Sequence, residues 1–201
     1  ALHNRDGSFG TQRVLRWAVR PLLDAERRVL LVIADGMSYP DFWHLVGQWA
    51  RFRKPVYPSE LHHCLALLPS VTSVSRRALF LDKLPTDRLD DEESYEQKAR
   101  ISETEALGQS LRGQKTRLYS KSNLDSDHLL EDLQARSLNC VVLIVNGIDD
   151  DLKNSTTGVR LPDLTDLEPL NRAVQMALDA DWAVLITADH GHTWHRDKKL
   201  R

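Results

Sequence analysis

The sequence has little cysteine and no long hydrophobic run. Only two of its 201 residues are cysteines, Cys64 and Cys140, and both lie in apolar stretches that we predict to be strands. Two separate cysteines form no zinc motif or disulfide framework, so we interpret both as buried free thiols. No apolar run approaches the roughly 20 residues that a membrane span needs, and no signal peptide is visible. We therefore expect a soluble, cytoplasmic protein without membrane contact.

An excess of either charge is also lacking. The 27 basic and 29 acidic residues leave a formal net charge of -2, which gives no global reason to expect nucleic-acid binding. Neither a Walker loop nor a GxGxxG fingerprint is present, which argues against a nucleotide-binding domain. With 41% hydrophobic residues, the chain is long enough for one domain over residues 1–201. Because it begins without Met and stops directly after a histidine-rich segment, we interpret it as an excised or truncated domain.

Helical and strand-like patterns alternate along the chain. Apolar residues at helical spacing predict helices over residues 11–27, 40–52, 72–82, 103–111, 126–135 and 167–180. Apolar runs predict strands over residues 28–34, 60–68, 116–120, 139–145 and 182–188. This alternation predicts an α/β fold, with a mostly parallel sheet and helices on both faces.

Acidic residues follow three of the predicted strands. Asp35 and Asp189 come directly after their strands, His190 adjoins Asp189, and Asp149 opens an acidic run just beyond a third strand. The carboxyl ends of parallel strands share one edge of a sheet, so these groups would repel one another without a cation between them. A divalent metal is the simplest cation, although each acid taken alone also fits a structural role: Asp35 as a helix cap, Asp149 in a solvated loop.

Hydroxyl groups crowd the point where a predicted strand passes into a helix, at Ser70, Thr72 and Ser73. Backbone N–H groups at a helix start attract anions such as phosphate, and a hydroxyl there is a nucleophile if a metal or base stabilises its alkoxide. Helix capping is the structural alternative. Arg76, one turn further, is either a phosphate ligand or an ordinary surface arginine.

The segment after the last strand has the strongest local signal for metal binding. Asp189 and His190 are both metal-ligand types, and their adjacent placement at a turn lets both approach one ion. Gly191 permits a close backbone approach. His192 and His195 are candidates for further ligands or for proton transfer. A surface histidine cluster is a weaker interpretation, because the motif follows directly from a core strand.

Four motifs together resemble the alkaline phosphatase superfamily, and most closely the PglZ family of bacterial phage-defence (BREX) systems. The motifs are Ala34-Asp35-Gly36, Leu68-Pro69-Ser70-Val71-Thr72, Ile148-Asp149-Asp150 and Thr187-Ala188-Asp189-His190-Gly191. They occur in the family's order and cover most of the chain. The resemblance implies an alkaline phosphatase-like core.

The resemblance also implies a role for each site residue. Asp35, Asp189 and His190 would bind one metal ion, with Thr72 as nucleophile on the same ion, and Asp149 would help to bind a second. The ions would be zinc, with manganese as an alternative. Two ions about 3.5–4 Å apart stabilise the attacking and leaving oxygens of a displacement. Thr72 would form a covalent ester with phosphorus (or sulfur), which water then hydrolyses.

Two departures from the family pattern concern the second metal. Phosphodiesterase-like members carry a histidine four residues after the Asp of the middle motif, where this chain has Lys153, which is no ordinary ligand while charged. A more distal histidine is also missing unless His192 or His195 replaces it. The resemblance thus implies a metal-dependent phosphodiesterase or nuclease-like hydrolase in phage defence, acting on a phosphoester or nucleic acid. The alternative is a weakly active or inactive scaffold that docks other BREX components.

Overall fold

The computed structural model describes residues 9–51, 58–67, 70–84, 102–120, 127–135, 137–148 and 161–191. The strands in chain order are β1 (Phe9–Gly10), β2 (Val29–Ala34), β3 (Cys64–Leu65), β4 (Thr116–Tyr119), β5 (Cys140–Val145) and β6 (Ala183–Thr187). Four of them form one parallel sheet in the order β4-β5-β2-β6, and β1 pairs with β3 separately. The predicted parallel α/β architecture is confirmed.

Six α-helices lie within the described residues: α1 (Arg20–Asp24), α2 (Tyr39–Trp49), α3 (Thr72–Leu81), α4 (Glu103–Ser110), α5 (Asp127–Gln134) and α6 (Glu168–Asp179). The predicted first helix over 11–27 is instead three short segments, because a 3₁₀ turn (Thr11–Arg13) and a π-helical turn (Leu15–Val19) precede α1. No helix of the described ranges is long and apolar enough to cross a membrane.

The sheet has a hydrophobic core on each face. Alternate residues of β2 point to opposite faces, so Leu30 and Val32 pack in one core while Leu31 and Ile33 pack in the other. Helices α2, α5 and α6 cover the first face, and the N-terminal segment, α3 and α4 cover the second. A parallel strand buried on both faces must be apolar throughout, as β2 is.

The predicted strand over 60–68 is wrong in extent. Of the described residues 60–67, only Cys64–Leu65 forms a paired strand, and it pairs with β1 outside the main sheet. The flanking His62 and His63 are exposed, so the segment has too few buried apolar positions for a core strand. Cys64 is accordingly only half-buried, whereas Cys140 is buried as predicted, and both are free thiols.

The register of the sheet aligns three strand ends. Ala34 of β2 lies opposite Val145 of β5, and Ile33 lies opposite Thr187 of β6. The backbone N–H of Asp35 still donates to the carbonyl of Val145, at 2.9 Å. The residues just past β2, β5 and β6 therefore meet at one edge of the sheet, where open α/β folds bind ligands.

Candidate metal centre

Two carboxylates and one imidazole converge at this edge. One ligand atom from each of Asp35, Asp189 and His190 lies within 4.8 Å of the others. The Nε2 atom of His190 is 3.4 Å from Asp35 Oδ1 and 3.9 Å from Asp189 Oδ2. Asp35 is 2% exposed and Asp189 is fully buried. These are hard oxygen and imidazole donors grouped around one small space, as a divalent ion requires.

The turn after β2 fixes one oxygen of Asp189 and leaves the other without a hydrogen bond. Gly36 has φ +71°, a conformation that glycine adopts at little cost, and its N–H donates to Asp189 Oδ1 at 3.3 Å. The N–H of His190 donates to the same oxygen at 2.9 Å. Asp189 Oδ2 is buried and has no hydrogen-bond partner among the described residues. A buried anionic oxygen that accepts no hydrogen bond, and whose ion-pair partner His190 Nε2 lies 3.9 Å away, is costly, so the donor set fits a cation at this position.

Asp35, Asp189 and His190 lie close enough to shift one another's pKa values. Burial, and then the negative charge of Asp35, raise the pKa of Asp189 to about 6. The hydrogen bond with Asp35 is the main cause that raises the pKa of His190 to about 9. Burial opposes ionisation of Asp35, but hydrogen bonding to His190 and the charge of Arg76 together lower its pKa. Without a metal, the protonated imidazole therefore supplies the positive charge that the carboxylates need.

Thr72 directs its hydroxyl into the same space. It is the first residue of α3, whose N-cap, Val71, makes no side-chain capping bond. Thr72 Oγ1 donates to Asp35 Oδ1 at 3.1 Å and lies 2.9 Å from His190 Nε2. Ser70 and Ser73, the alternative hydroxyls, are exposed. The structure thus brings Thr72 to the carboxylates and histidine, and its hydroxyl is not engaged in capping.

Asp35 does not cap helix α2, so the structural alternative for this residue is not what its contacts show. Helix α2 begins with a capping box, in which the backbone N–H of Ser38 donates to Asp41 Oδ2 at 2.8 Å. Asp35 lies three residues before this cap and faces Thr72 and His190 instead. Its side chain is therefore available to the candidate site.

Two further side chains, Arg76 and Asn146, contact Asp35, and Glu103 contacts Arg76; of the three, only Arg76 was predicted. Arg76 is half-buried, so it is not an ordinary surface arginine, and it contacts both Asp35 and Glu103. Asn146 Nδ2 donates to Asp35 Oδ2 at 3.0 Å. Asn146 follows β5 directly, so its position at a strand end is the sequence signal that marks it. Glu103 has no comparable sequence signal, because its contact depends on how α4 packs against α3.

Four residues that the sequence analysis discussed lie outside the described residues: Asp149, Lys153, His192 and His195. The second metal site, the effect of Lys153 on it and the additional histidine ligands therefore stay predictions.

A comparison with protein families agrees with the predicted resemblance. The family model described as the BREX system PglZ alkaline phosphatase-like domain matches residues 14–200. The match includes every residue of the site described above. No curated protein matches the chain.

Proposed function

The chain belongs to the PglZ family of alkaline phosphatase-like domains of the BREX phage-defence system, and from this premise we propose that it is a metal-dependent phosphoryl-transfer hydrolase of the phosphodiesterase or nuclease type. One observation carries the proposal: the Thr72 hydroxyl contacts both Asp35 and His190, and the neighbouring Asp189 Oδ2 is buried without a hydrogen bond among the described residues. A nucleophile, two carboxylates and an imidazole in one space are the components of a metal-activated attack.

Asp35, Asp189 and His190 would hold a divalent ion. Zinc suits this mixed oxygen and imidazole donor set, and manganese is the alternative. When bound, such an ion lowers the pKa of a neighbouring hydroxyl and offsets the charge of phosphoryl oxygens. Asp149 is proposed for a second ion.

In the proposed reaction the oxygen of Thr72 would lose its proton to solvent and attack phosphorus, and the bond from phosphorus to the leaving oxygen would break, with the leaving alcohol taking a proton from solvent. Asp35 Oδ1, which accepts the Thr72 hydrogen bond, would be a metal ligand and would hold the hydroxyl in place before the attack. We propose that the backbone N–H groups at the start of α3 would bind the phosphoryl oxygens, as helix N-termini bind phosphate. Water then hydrolyses the phosphothreonine ester and restores the hydroxyl.

The proposed substrate is a phosphodiester, in a small molecule or a nucleic acid, and the proposed partners are other BREX components. The cytoplasm is the proposed location. If the chain proves to bind no metal, the scaffold alternative replaces the hydrolase.

Metal removal tests this function directly. Dialysis against a chelator is expected to lower the rate of hydrolysis of bis-p-nitrophenyl phosphate by about 100-fold or more. The reason is that the metal ion would both activate the nucleophile and offset the charge of the phosphoryl oxygens. Zinc or manganese added back should restore the rate, whereas calcium, which prefers more oxygen ligands, serves as the control. Full activity in the chelated, metal-free protein would contradict the proposal.

A further inference from the structure

The two oxygens of the Asp35 carboxylate have separate sets of partners. Oδ1 faces Thr72 and His190, which is the proposed metal side. Oδ2 accepts from Asn146 Nδ2 at 3.0 Å and from Arg76 Nη1 at 3.3 Å. The two donors come from different parts of the fold, the end of β5 and the second turn of α3. Together they hold Oδ2, which leaves Oδ1 facing Thr72 and His190.

Arg76 is itself held by a second carboxylate. Its Nε donates to Glu103 Oε1 at 2.6 Å, while Nη1 reaches Asp35. The side chain of Arg76 is only 18% exposed. A guanidinium has a rigid fork, so anchoring its Nε also fixes the direction of Nη1. Glu103, the first residue of α4, further compensates the charge that Arg76 brings close to the metal site.

We propose that Asn146 and the Arg76–Glu103 pair are positioning residues that hold Asp35 Oδ1 toward the metal, and that Glu103 acts only through Arg76. The inference rests on the proposed function, since it assigns a purpose to contacts around a proposed ligand. Hydrogen-bond partners of a metal ligand are typically worth 10–100-fold in metal affinity, because they remove the ligand's freedom to rotate away.

Zinc affinity of the whole chain, measured by competition with a chromophoric chelator, tests the inference. Glu103→Ala and Asn146→Ala are each expected to lower the affinity by about tenfold. Glu103→Gln should recover part of the loss, because its amide oxygen still accepts from Arg76 Nε. The matched control is Glu105→Ala, which removes the same charge from the same turn of α4 at an exposed position and should leave zinc affinity unchanged.

A double-mutant cycle separates positioning from a general charge effect. In an Arg76→Ala background, Glu103→Ala should cause no further loss, whereas Asn146→Ala should still lower zinc affinity. The melting temperatures of the metal-free variants report whether each one folds. If Glu103→Ala does not fold, Glu103→Gln replaces it. Its smaller loss of zinc affinity should be present in the wild-type background and absent in the Arg76→Ala background.

Three results would overturn the inference. In the first, the wild type binds zinc and hydrolyses phosphodiesters, but Glu103→Ala and Asn146→Ala bind zinc as tightly as the wild type. This result would refute the positioning roles and leave the proposed function intact. An equal loss from Glu103→Ala with and without Arg76 shows that Glu103 does not act through Arg76. Wild-type protein that takes up no zinc removes the proposed function and the positioning roles together.

Discussion

Thr72→Ala is expected to lower kcat for phosphodiester hydrolysis by at least about 10⁴-fold, because removal of a catalytic serine nucleophile costs on the order of 10⁶-fold. The physical reason is that no other described hydroxyl contacts Asp35 and His190 as Thr72 does. Zinc binding should persist, because the two carboxylates and the imidazole remain. Steady-state hydrolysis of bis-p-nitrophenyl phosphate and a parallel zinc titration measure the two effects.

Two control variants assign the effect to the hydroxyl group. Thr72→Ser keeps an oxygen at the same position and should retain measurable turnover. Ser73→Ala removes an exposed neighbouring hydroxyl and should leave turnover unchanged. If Thr72→Ala with zinc bound were as active as wild type, and Ser73→Ala were inactive, the nucleophile would be Ser73.

Asp189→Asn is expected to weaken metal binding strongly and to stabilise the metal-free protein. Burial and the charge of Asp35 raise the pKa of Asp189 from 3.8 to about 6, so keeping this carboxylate ionised at neutral pH costs on the order of 3 kcal/mol. Asparagine is uncharged and still offers an oxygen to the N–H groups of Gly36 and His190. Zinc affinity should fall by about 100-fold or more, since a charged ligand is lost.

The pH dependence of the metal-free protein tests the same charges. The folded state of Asp189 binds a proton more tightly than the unfolded state, so stability is lost as pH rises from about 4 through about 6. The His190 pKa is raised from 6.5 to about 9, so its stabilisation is complete below pH 6.5 and is lost as pH rises through 9. Wild-type melting temperature in chelator should therefore fall from pH 4 to 9.

Asp189→Asn should remove the lower part of this pH dependence. Thermal melts in chelator, at intervals between pH 4 and 9, measure the change for both proteins. At pH 7 the variant should melt several degrees higher, since 1 kcal/mol is worth about 2–4 °C for a chain of this size. A variant that melts below wild type at pH 7 without metal would show that the Asp189 charge is already well solvated.

The part of the site that follows from sequence is the part set by strand geometry. Asp35 and Asp189 could be predicted because β2 and β6 are largely apolar strands in parallel register, so the residues just past their ends must meet. The start of α3 at Thr72 was also predicted. The Arg76–Glu103 contact could not be, since it joins two helices whose packing depends on the tertiary fold.

Other differences between prediction and structure also have local causes. Within the described residues 60–67, the predicted strand over 60–68 is reduced to Cys64–Leu65, because the neighbouring histidines are exposed. Asn146 occupies a strand-end position, as Asp35 does, but a neutral amide is not an obvious metal-site residue. Asp149 remains a prediction for the second ion.

Metal binding at this site is tested most directly by an anomalous difference map at the zinc absorption edge, from crystals grown with zinc. A peak is expected between Asp35, Asp189 and His190, at about 2.0–2.2 Å from their ligand atoms, with the hydroxyl of Thr72 beside it. Crystals that show no peak there, with His190 Nε2 still hydrogen-bonded to Thr72 in the presence of zinc, would contradict metal binding by these residues.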